Sequence, residues 1–168
     1  TIEKEGYVTK TLNFTYDIKK EGEIQMNELL ALTIGKVEVG MDLAKMIDIK
    51  PIYFDLGKSK IRPDAAIELN KVVAIMKEYP NMIIELGAHT DCRGGAAANL
   101  KLSGARAVAA AGYIVKQGID KTRISGKGYG ESKLLNTCGC EGKVKSTCTE
   151  YEHSVNRRTE FIIVKLKN

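Results

Sequence analysis

The 168-residue sequence lacks several features that mark common protein classes. No stretch approaches the roughly 18 to 20 consecutive apolar residues that span a bilayer, so we expect no membrane span in this piece. Lys and Arg number 26 against 21 Asp and Glu, but these basic residues form no concentrated stripe, which argues against nucleic acid as a partner. No charged-then-apolar leader is present, and because the chain starts at Thr1 we expect a processed product or a fragment.

The motifs of familiar enzymes are also missing. There is no G-x-S-x-G elbow, and nothing places a serine against His89, so serine catalysis is not expected. The glycines at 126, 128 and 130 are not followed by a helix carrying Lys-Ser/Thr, as a phosphate-binding loop would be. We interpret them as a strand end where two backbones approach closely. The sequence therefore predicts a protein that is not an enzyme and that needs no cofactor.

The four cysteines allow two interpretations. Cys138, Cys140 and Cys148 could form a zinc site with His153, but C-x-C strains a tetrahedral chelate and no C-x2-C pair lies elsewhere. Together with Cys92 they could instead form disulfides, which persist in an oxidising compartment. Disulfides are the favoured interpretation, and a small metal-binding domain remains the alternative.

Composition and pattern change near residue 50. Residues 12–18 alternate apolar and polar side chains, which is typical of a half-buried strand, and short extended pieces broken by glycines follow. From Pro51 onward strands and helices alternate. The predicted elements are strands at 52–54, 82–86, from 123 and at 159–166, with helices from 59–63 to 79 and at 99–117. The order β-α-β-α-β-β predicts an α+β fold with helices on one face of a mixed sheet.

Polar residues follow the second predicted strand and recur on the next helix. Asp91 ends His-Thr-Asp, and Arg106 lies fifteen residues further along, so a loop can bring the carboxylate to the first turns of the helix. An acidic group can hold a ligand ammonium while a guanidinium binds a ligand carboxylate with two hydrogen bonds. The pair is therefore complementary to a free amino-acid head group. The alternative is a salt bridge that only pins the loop to the helix.

Four separated motifs occur together in order: Ile-Tyr-Phe-Asp at 52–55, His-Thr-Asp to Leu-Ser-x-x-Arg-Ala at 89–107, Gly-Ile to Gly-x-Gly-Glu at 118–131, and Asn-Arg-Arg-x-Glu-Phe at 156–161. In these motifs the sequence resembles the OmpA-like peptidoglycan-binding domain family over residues 50–168. Residues 1–49 resemble the tail of a carboxypeptidase-regulatory-like β-sandwich, or form a linker. The cysteine-rich insertion is similar to that of Bacteroidetes members.

The resemblance implies non-covalent binding of peptidoglycan through the diaminopimelate residue of the stem peptide. Asp91 and Arg106 fall on the positions that hold the ammonium and the carboxylate of that residue. Further positions that match ligand contacts are Asn99, Leu102, Arg157 and, through its backbone, Gly57. As a loop-end carboxylate, Asp91 is expected to have no role in the core.

The resemblance also implies a periplasmic location, associated with the outer membrane of a Gram-negative bacterium, and partners among outer-membrane or secretion-complex proteins. An envelope assembly domain without peptidoglycan binding is the alternative. Because the third strand should lie beside the second, we further hypothesise that Cys92 pairs with Cys140 and Cys138 with Cys148. The first of these bonds would order the site, since Cys92 directly follows Asp91.

Overall fold

The computed structural model describes residues 37–140 and 146–166, and the chain divides into two compact units, residues 1–37 and 38–168. Only the second unit is described below. The strands and the β-sandwich tail predicted before residue 37 lie outside the described residues, so the predicted boundary at residue 50 stays a prediction.

The described part is a mixed α+β fold, as the sequence predicts. Its elements are α1 (Leu43–Met46), α2 (Pro63–Glu78), β1 (Met82–His89), α3 (Ala96–Lys116), a 3-10 turn (Lys121–Arg123), β2 (Ile124–Gly130), α4 (Glu150–Asn156) and β3 (Thr159–Leu166). The sheet has the order β2-β1-β3, with β1 parallel to β2 and antiparallel to β3. Among the described residues no helix is both long and apolar enough to cross a bilayer.

The prediction of a strand at 52–54 is wrong, because this described segment joins no sheet. Burial nevertheless differs between neighbours in this apolar run, since Ile52 is buried and Tyr53 is exposed. The carbonyl groups that follow are used elsewhere, since those of Asp55 and Lys58 accept hydrogen bonds from Arg106. An apolar run of only three residues therefore indicates partial burial but does not predict a partner strand.

β1 is longer than predicted, because it continues through His89, which was expected in a loop. Its last residues pair with β2 on one side and with Thr159 of β3 on the other. This central position explains why the end of β1 is buried, including His89, Thr90 and Asp91. The polar side chains at the end of this strand are consequently buried within the protein instead of exposed to bulk solvent.

The interface between α3 and β2 is built from small residues. The spacing of apolar residues in the sequence predicts Leu102, Ala105, Ala109 and Ile114 as the inward positions of this helix, yet of these only Ile114 is buried. The buried stripe instead includes Ser103 and Ala107. A Cβ built on Gly126 would come within 2.5 Å of the Ala107 carbonyl oxygen, so the predicted close approach of two backbones at these glycines is present. Small size on both surfaces lets the helix lie directly on the strand.

Candidate peptide-binding cavity

A cavity of about 610 Å³ opens at the end of the sheet where β1 ends and β3 begins. All six residues that the sequence analysis assigned to ligand binding line it: Gly57, Asp91, Asn99, Leu102, Arg106 and Arg157. They come from a loop, the end of β1, the N-terminal half of α3 and the segment just before β3. The fold thus brings together residues that lie up to 100 positions apart in the sequence.

Asp91 lies at the buried inner part of the cavity, with a side chain that is only 7% exposed. Its Oδ1 accepts a hydrogen bond from the backbone N–H of Arg93 (3.0 Å), and its Oδ2 accepts from the guanidinium groups of Arg93 (2.8 Å) and Arg157 (2.7 Å). Burial favours a higher pKa for Asp91, but these hydrogen bonds outweigh it and lower the pKa below the ordinary value. The carboxylate is therefore ionised at neutral pH and holds two arginines, a structural task that the sequence analysis did not assign to it.

Among the described residues, the partners of Arg106 are backbone oxygens and not a carboxylate. Its Nε donates to the carbonyl of Lys58 (3.0 Å), one Nη donates to the carbonyl of Asp55 (3.3 Å), and its guanidinium lies 5.1 Å from the centre of the Phe54 ring. Burial and the positive charge of Arg157 lower the pKa of Arg106, while the charge of Asp91 opposes them. A guanidinium carries five N–H donors, so this group is positioned and still has donors for a ligand carboxylate.

Three further predicted residues have distinct surroundings. Asn99 is buried, and its amide donates to the backbone oxygen of Asp91 (3.2 Å) and to Glu131, so it fixes the backbone of the binding loop. Gly57 lies in an exposed turn with a positive φ of 67°, a conformation that favours glycine. Leu102 provides an apolar part of the wall. Of the three, Asn99 already uses its amide within the protein.

Two of the charged residues that line the cavity, Arg93 and Glu150, were not singled out from the sequence. Glu150 accepts hydrogen bonds of 2.6 Å from both Arg93 and Arg157, so these arginines lie between the inner Asp91 and the outer Glu150. Glu150 opens α4, inside a stretch that was expected to be a loop. The signal for this helix was present, because Thr149 and Glu152 form a capping box.

Arg158 donates to Glu160 (2.7 Å) and to the backbone oxygen of Lys133 (3.0 Å). Its own backbone oxygen accepts from the N–H of His89 (2.9 Å). These contacts join the start of β3 to the end of β1. Arg158 also lines the cavity, so four arginines and two carboxylates surround the same space.

Both disulfides have the hypothesised pairing, Cys92 with Cys140 and Cys138 with Cys148. The first joins the residue after Asp91 to the inserted loop, and the second closes the base of the segment that leads into α4. All four cysteines are among the described residues, and none is free. The metal-binding interpretation consequently lacks the thiolates it needs, since a sulfur in a disulfide is not a thiolate ligand.

The sequence matches the model of the OmpA family over residues 53–147, and the chain belongs to this family. Among curated proteins it is similar to outer membrane porin F of Pseudomonas fluorescens (35% identity; 68% of this chain, 31% of that protein) and to the peptidoglycan-associated lipoprotein of Rhizobium meliloti (34%; 52% and 49%). It is also 43% identical to a segment of a Gloeobacter violaceus protein named photosystem I P700 chlorophyll a apoprotein A2 (67% and 12%). The chain thus spans half or less of the length of these relatives.

Solved structures show the same fold. A MotB-like protein from Desulfovibrio vulgaris superposes with a TM-score of 0.57 at 21% identity, covering 70% of both chains. The peptidoglycan-associated lipoprotein from Burkholderia pseudomallei superposes with a TM-score of 0.55 at 23% identity, covering 67% of this chain and 89% of that chain. At these identities the likeness shows the architecture alone.

Proposed function

We propose that this chain binds peptidoglycan without covalent chemistry, through the diaminopimelate residue of the stem peptide. Membership of the OmpA family supports the proposal, as does the similarity to a relative named for its association with peptidoglycan. Diaminopimelate carries an ammonium and a carboxylate on one carbon at the end of its side chain. In the proposed complex Asp91 accepts from the ammonium and Arg106 donates to the carboxylate, and both groups line one cavity.

The observation that carries this proposal is that Arg106 is positioned without a carboxylate partner among the described residues. Among the described residues no carboxylate oxygen lies within 4.0 Å of its guanidinium, although Asp91, Arg93 and Arg157 are all paired. A charged group positioned by backbone carbonyls and left without a counter-ion, in a cavity, is suited to bind an anionic group. Burial on ligand binding strengthens the Coulomb attraction within such a pair, because the surrounding dielectric is lower, while desolvation of the two charges opposes this gain.

The proposal is tested by calorimetric titration with a soluble stem peptide that contains diaminopimelate, against the same peptide with lysine in its place. The lysine peptide lacks the side-chain carboxylate. We expect the wild type to prefer the diaminopimelate peptide by about tenfold or more, since hydrogen bonds to charged groups contribute about 1.5–3 kcal/mol. Arg106→Ala should abolish this preference.

The matched control is Arg62→Ala, which removes an exposed arginine that does not line the cavity. It should keep the wild-type preference. A folded wild type that binds neither peptide would contradict the proposal and favour the alternative, an envelope assembly domain without peptidoglycan binding.

We further propose that the domain anchors a periplasmic, outer-membrane-associated protein to the cell wall. The two disulfides support an oxidising compartment. The cysteine-rich insertion supports a finer proposal, that the whole protein is a Bacteroidetes lipoprotein similar to the peptidoglycan-binding component of the type IX secretion system. A wall presents the same epitope many times, so modest affinity at one site is compatible with stable anchoring.

A further inference from the structure

Arg93, Arg157, Asp91 and Glu150 form a closed ring of ion pairs in the cavity. Each arginine donates to Asp91 Oδ2, at 2.8 Å and 2.7 Å, and uses another nitrogen to donate to Glu150 at 2.6 Å. The two guanidinium groups therefore face the same pair of carboxylates. Arg106 is not part of this ring.

The two carboxylates of the ring differ in burial. The side chain of Asp91 is 7% exposed, whereas that of Glu150 is 67% exposed. Ion pairs between exposed side chains contribute little to stability, because water competes for both partners. Asp91 is thus the fixed inner partner that orients both arginines, and Glu150 is an outer partner that can leave.

Glu150 and Arg157 lie at the two ends of the same short helix, since Arg157 is the C-cap residue of α4. Glu150 is the first residue of α4, directly after the N-cap Thr149 and two residues after Cys148, which is bonded to Cys138. Its carboxylate sits between two guanidinium groups, each of which gives it one hydrogen bond. This is the environment that a ligand carboxylate would take, because paired guanidinium groups favour an anion with two oxygens.

The charges around the cavity are consistent with a ligand that has more than one carboxylate. Four arginines and two carboxylates line the cavity, and the departure of Glu150 would leave Asp91 as the single lining carboxylate among the described residues. Arg106 can bind one ligand carboxylate. The cationic groups that remain are then sufficient for a second one.

We propose that Arg93 and Arg157 form a second carboxylate subsite, that Glu150 fills this subsite in the free protein, and that a ligand carboxylate replaces it on binding. This inference rests on the proposed function, since the ligand is the stem peptide, which carries further free carboxylates besides the one assigned to Arg106. Glu150 then disfavours ligands that displace it without placing a carboxylate there, because such ligands do not compensate for the lost ion pairs.

The test is calorimetric titration of the diaminopimelate stem peptide into the wild type, Glu150→Gln, Arg93→Gln and the double variant. Because Glu150→Gln removes the competing charge, we expect its Kd to fall by a factor of about 2 to 5, the range that an exposed ion pair allows. Arg93→Gln should weaken binding, and in that background Glu150→Gln should give no gain. Should Arg93→Gln fail to fold, Arg93→Lys, which keeps the charge but loses the planar fork, replaces it.

The matched control is Asp120→Asn, which removes one negative charge before β2, at the end of the sheet opposite the cavity, and keeps a residue suited to capping. Equal gains from Glu150→Gln and Asp120→Asn would overturn the inference, since net charge alone would explain them. Wild-type binding that Glu150→Gln leaves unchanged or weakens would overturn the inference but not the proposed function. Absence of binding in every variant would overturn both.

Discussion

His89 is a buried titratable residue beside the cavity. Its ring stacks on Tyr129 with 5.0 Å between ring centres and 6° between planes, and its Nε2 lies 3.3 Å from a carboxylate oxygen of Glu160. Burial lowers the pKa of His89 below the ordinary 6.5, the positive charges of Arg158 and Lys133 lower it further, and Glu160 opposes them. The imidazole is therefore neutral in the folded protein at neutral pH.

We expect a pH dependence of stability from His89. Its pKa is lower in the folded than in the unfolded state, so its contribution is complete above pH 6.5 and is lost as the pH falls toward the folded pKa. Urea denaturation from pH 7.5 to 5 should give a free energy of unfolding that falls toward acid more steeply in the wild type than in His89→Gln. The difference in slope is at most about 1.4 kcal/mol per pH unit, the limit for one proton. Parallel curves for the two proteins would contradict this assignment.

For individual residues, the sequence predicts those that belong to a recognisable motif better than those in an insertion. Asp91 and Arg106 were found because residue type and spacing indicated complementary charges at a strand end and on a helix. The same reasoning could have identified Arg93, since it follows Asp91 by two residues. It could not have identified Glu150, because Glu150 lies 57 residues from Arg93 in the sequence and spacing gives no sign of their contact.

The packing of β2 on α3 depends on glycines in the strand. A Cβ on Gly128 would overlap the backbone of Gly104 on α3, and one on Gly126 would come within 2.5 Å of the Ala107 carbonyl oxygen. Backbone atoms cannot move aside as the end of a flexible side chain can. The separation of these two elements is therefore set by residues that have no side chain.

A pair of glycine substitutions tests this packing. Gly128→Ala should destabilise the protein by about 3 kcal/mol or prevent folding, because overpacking against backbone forces the helix off the sheet. Gly112→Ala, within α3, meets nothing within 4 Å and should stabilise by about 0.5–1 kcal/mol, since alanine favours the helical state. Chemical denaturation of both variants measures these effects. Similar losses from the two would show that glycine is not required at the helix–strand contact.

Helices and strands were predicted correctly where the hydrophobic pattern in the sequence was long. The predictions failed where packing between elements decides which residues pair or become buried. The strand at 159–166 has the predicted bounds, and the helix whose entry was predicted at 59–63 begins at Pro63, as a proline in the first turn indicates. The three-residue apolar run at 52–54 carried no information on a partner strand. The inward face of α3 was assigned wrongly, because size was taken as the sign of burial whereas the surface beneath the helix admits only small residues.

The two disulfides constrain chain segments of very different length. Cys92 and Cys140 are 48 residues apart, and their bond connects the end of the central strand to the inserted loop. Cys138 and Cys148 are 10 residues apart, and their bond closes a local loop. The longer closure removes more conformational freedom from the unfolded chain.

Replacing each pair with serine should therefore have unequal effects. We expect Cys92→Ser with Cys140→Ser to lower the free energy of unfolding by about 2–5 kcal/mol, and Cys138→Ser with Cys148→Ser to lower it by about 1 kcal/mol less, from loop-closure entropy. Urea denaturation under non-reducing conditions measures both. The local pair is the control, and an equal or larger loss from it would contradict the argument.

The short segment before α1 lies along the edge strand β3 of the sheet. Gly40 donates its N–H to the carbonyl of Ile163, the N–H of Ile163 donates to the carbonyl of Met41, and Asp42 accepts from the N–H of Phe161 at 2.9 Å. Leu43, the first residue of α1, is fully buried. A shortened chain that began at residue 50 would lose these contacts and expose the polar backbone groups of an edge strand, together with apolar surface, to other molecules. Such edges promote aggregation, so we expect residues 40–43 to protect this edge against self-association.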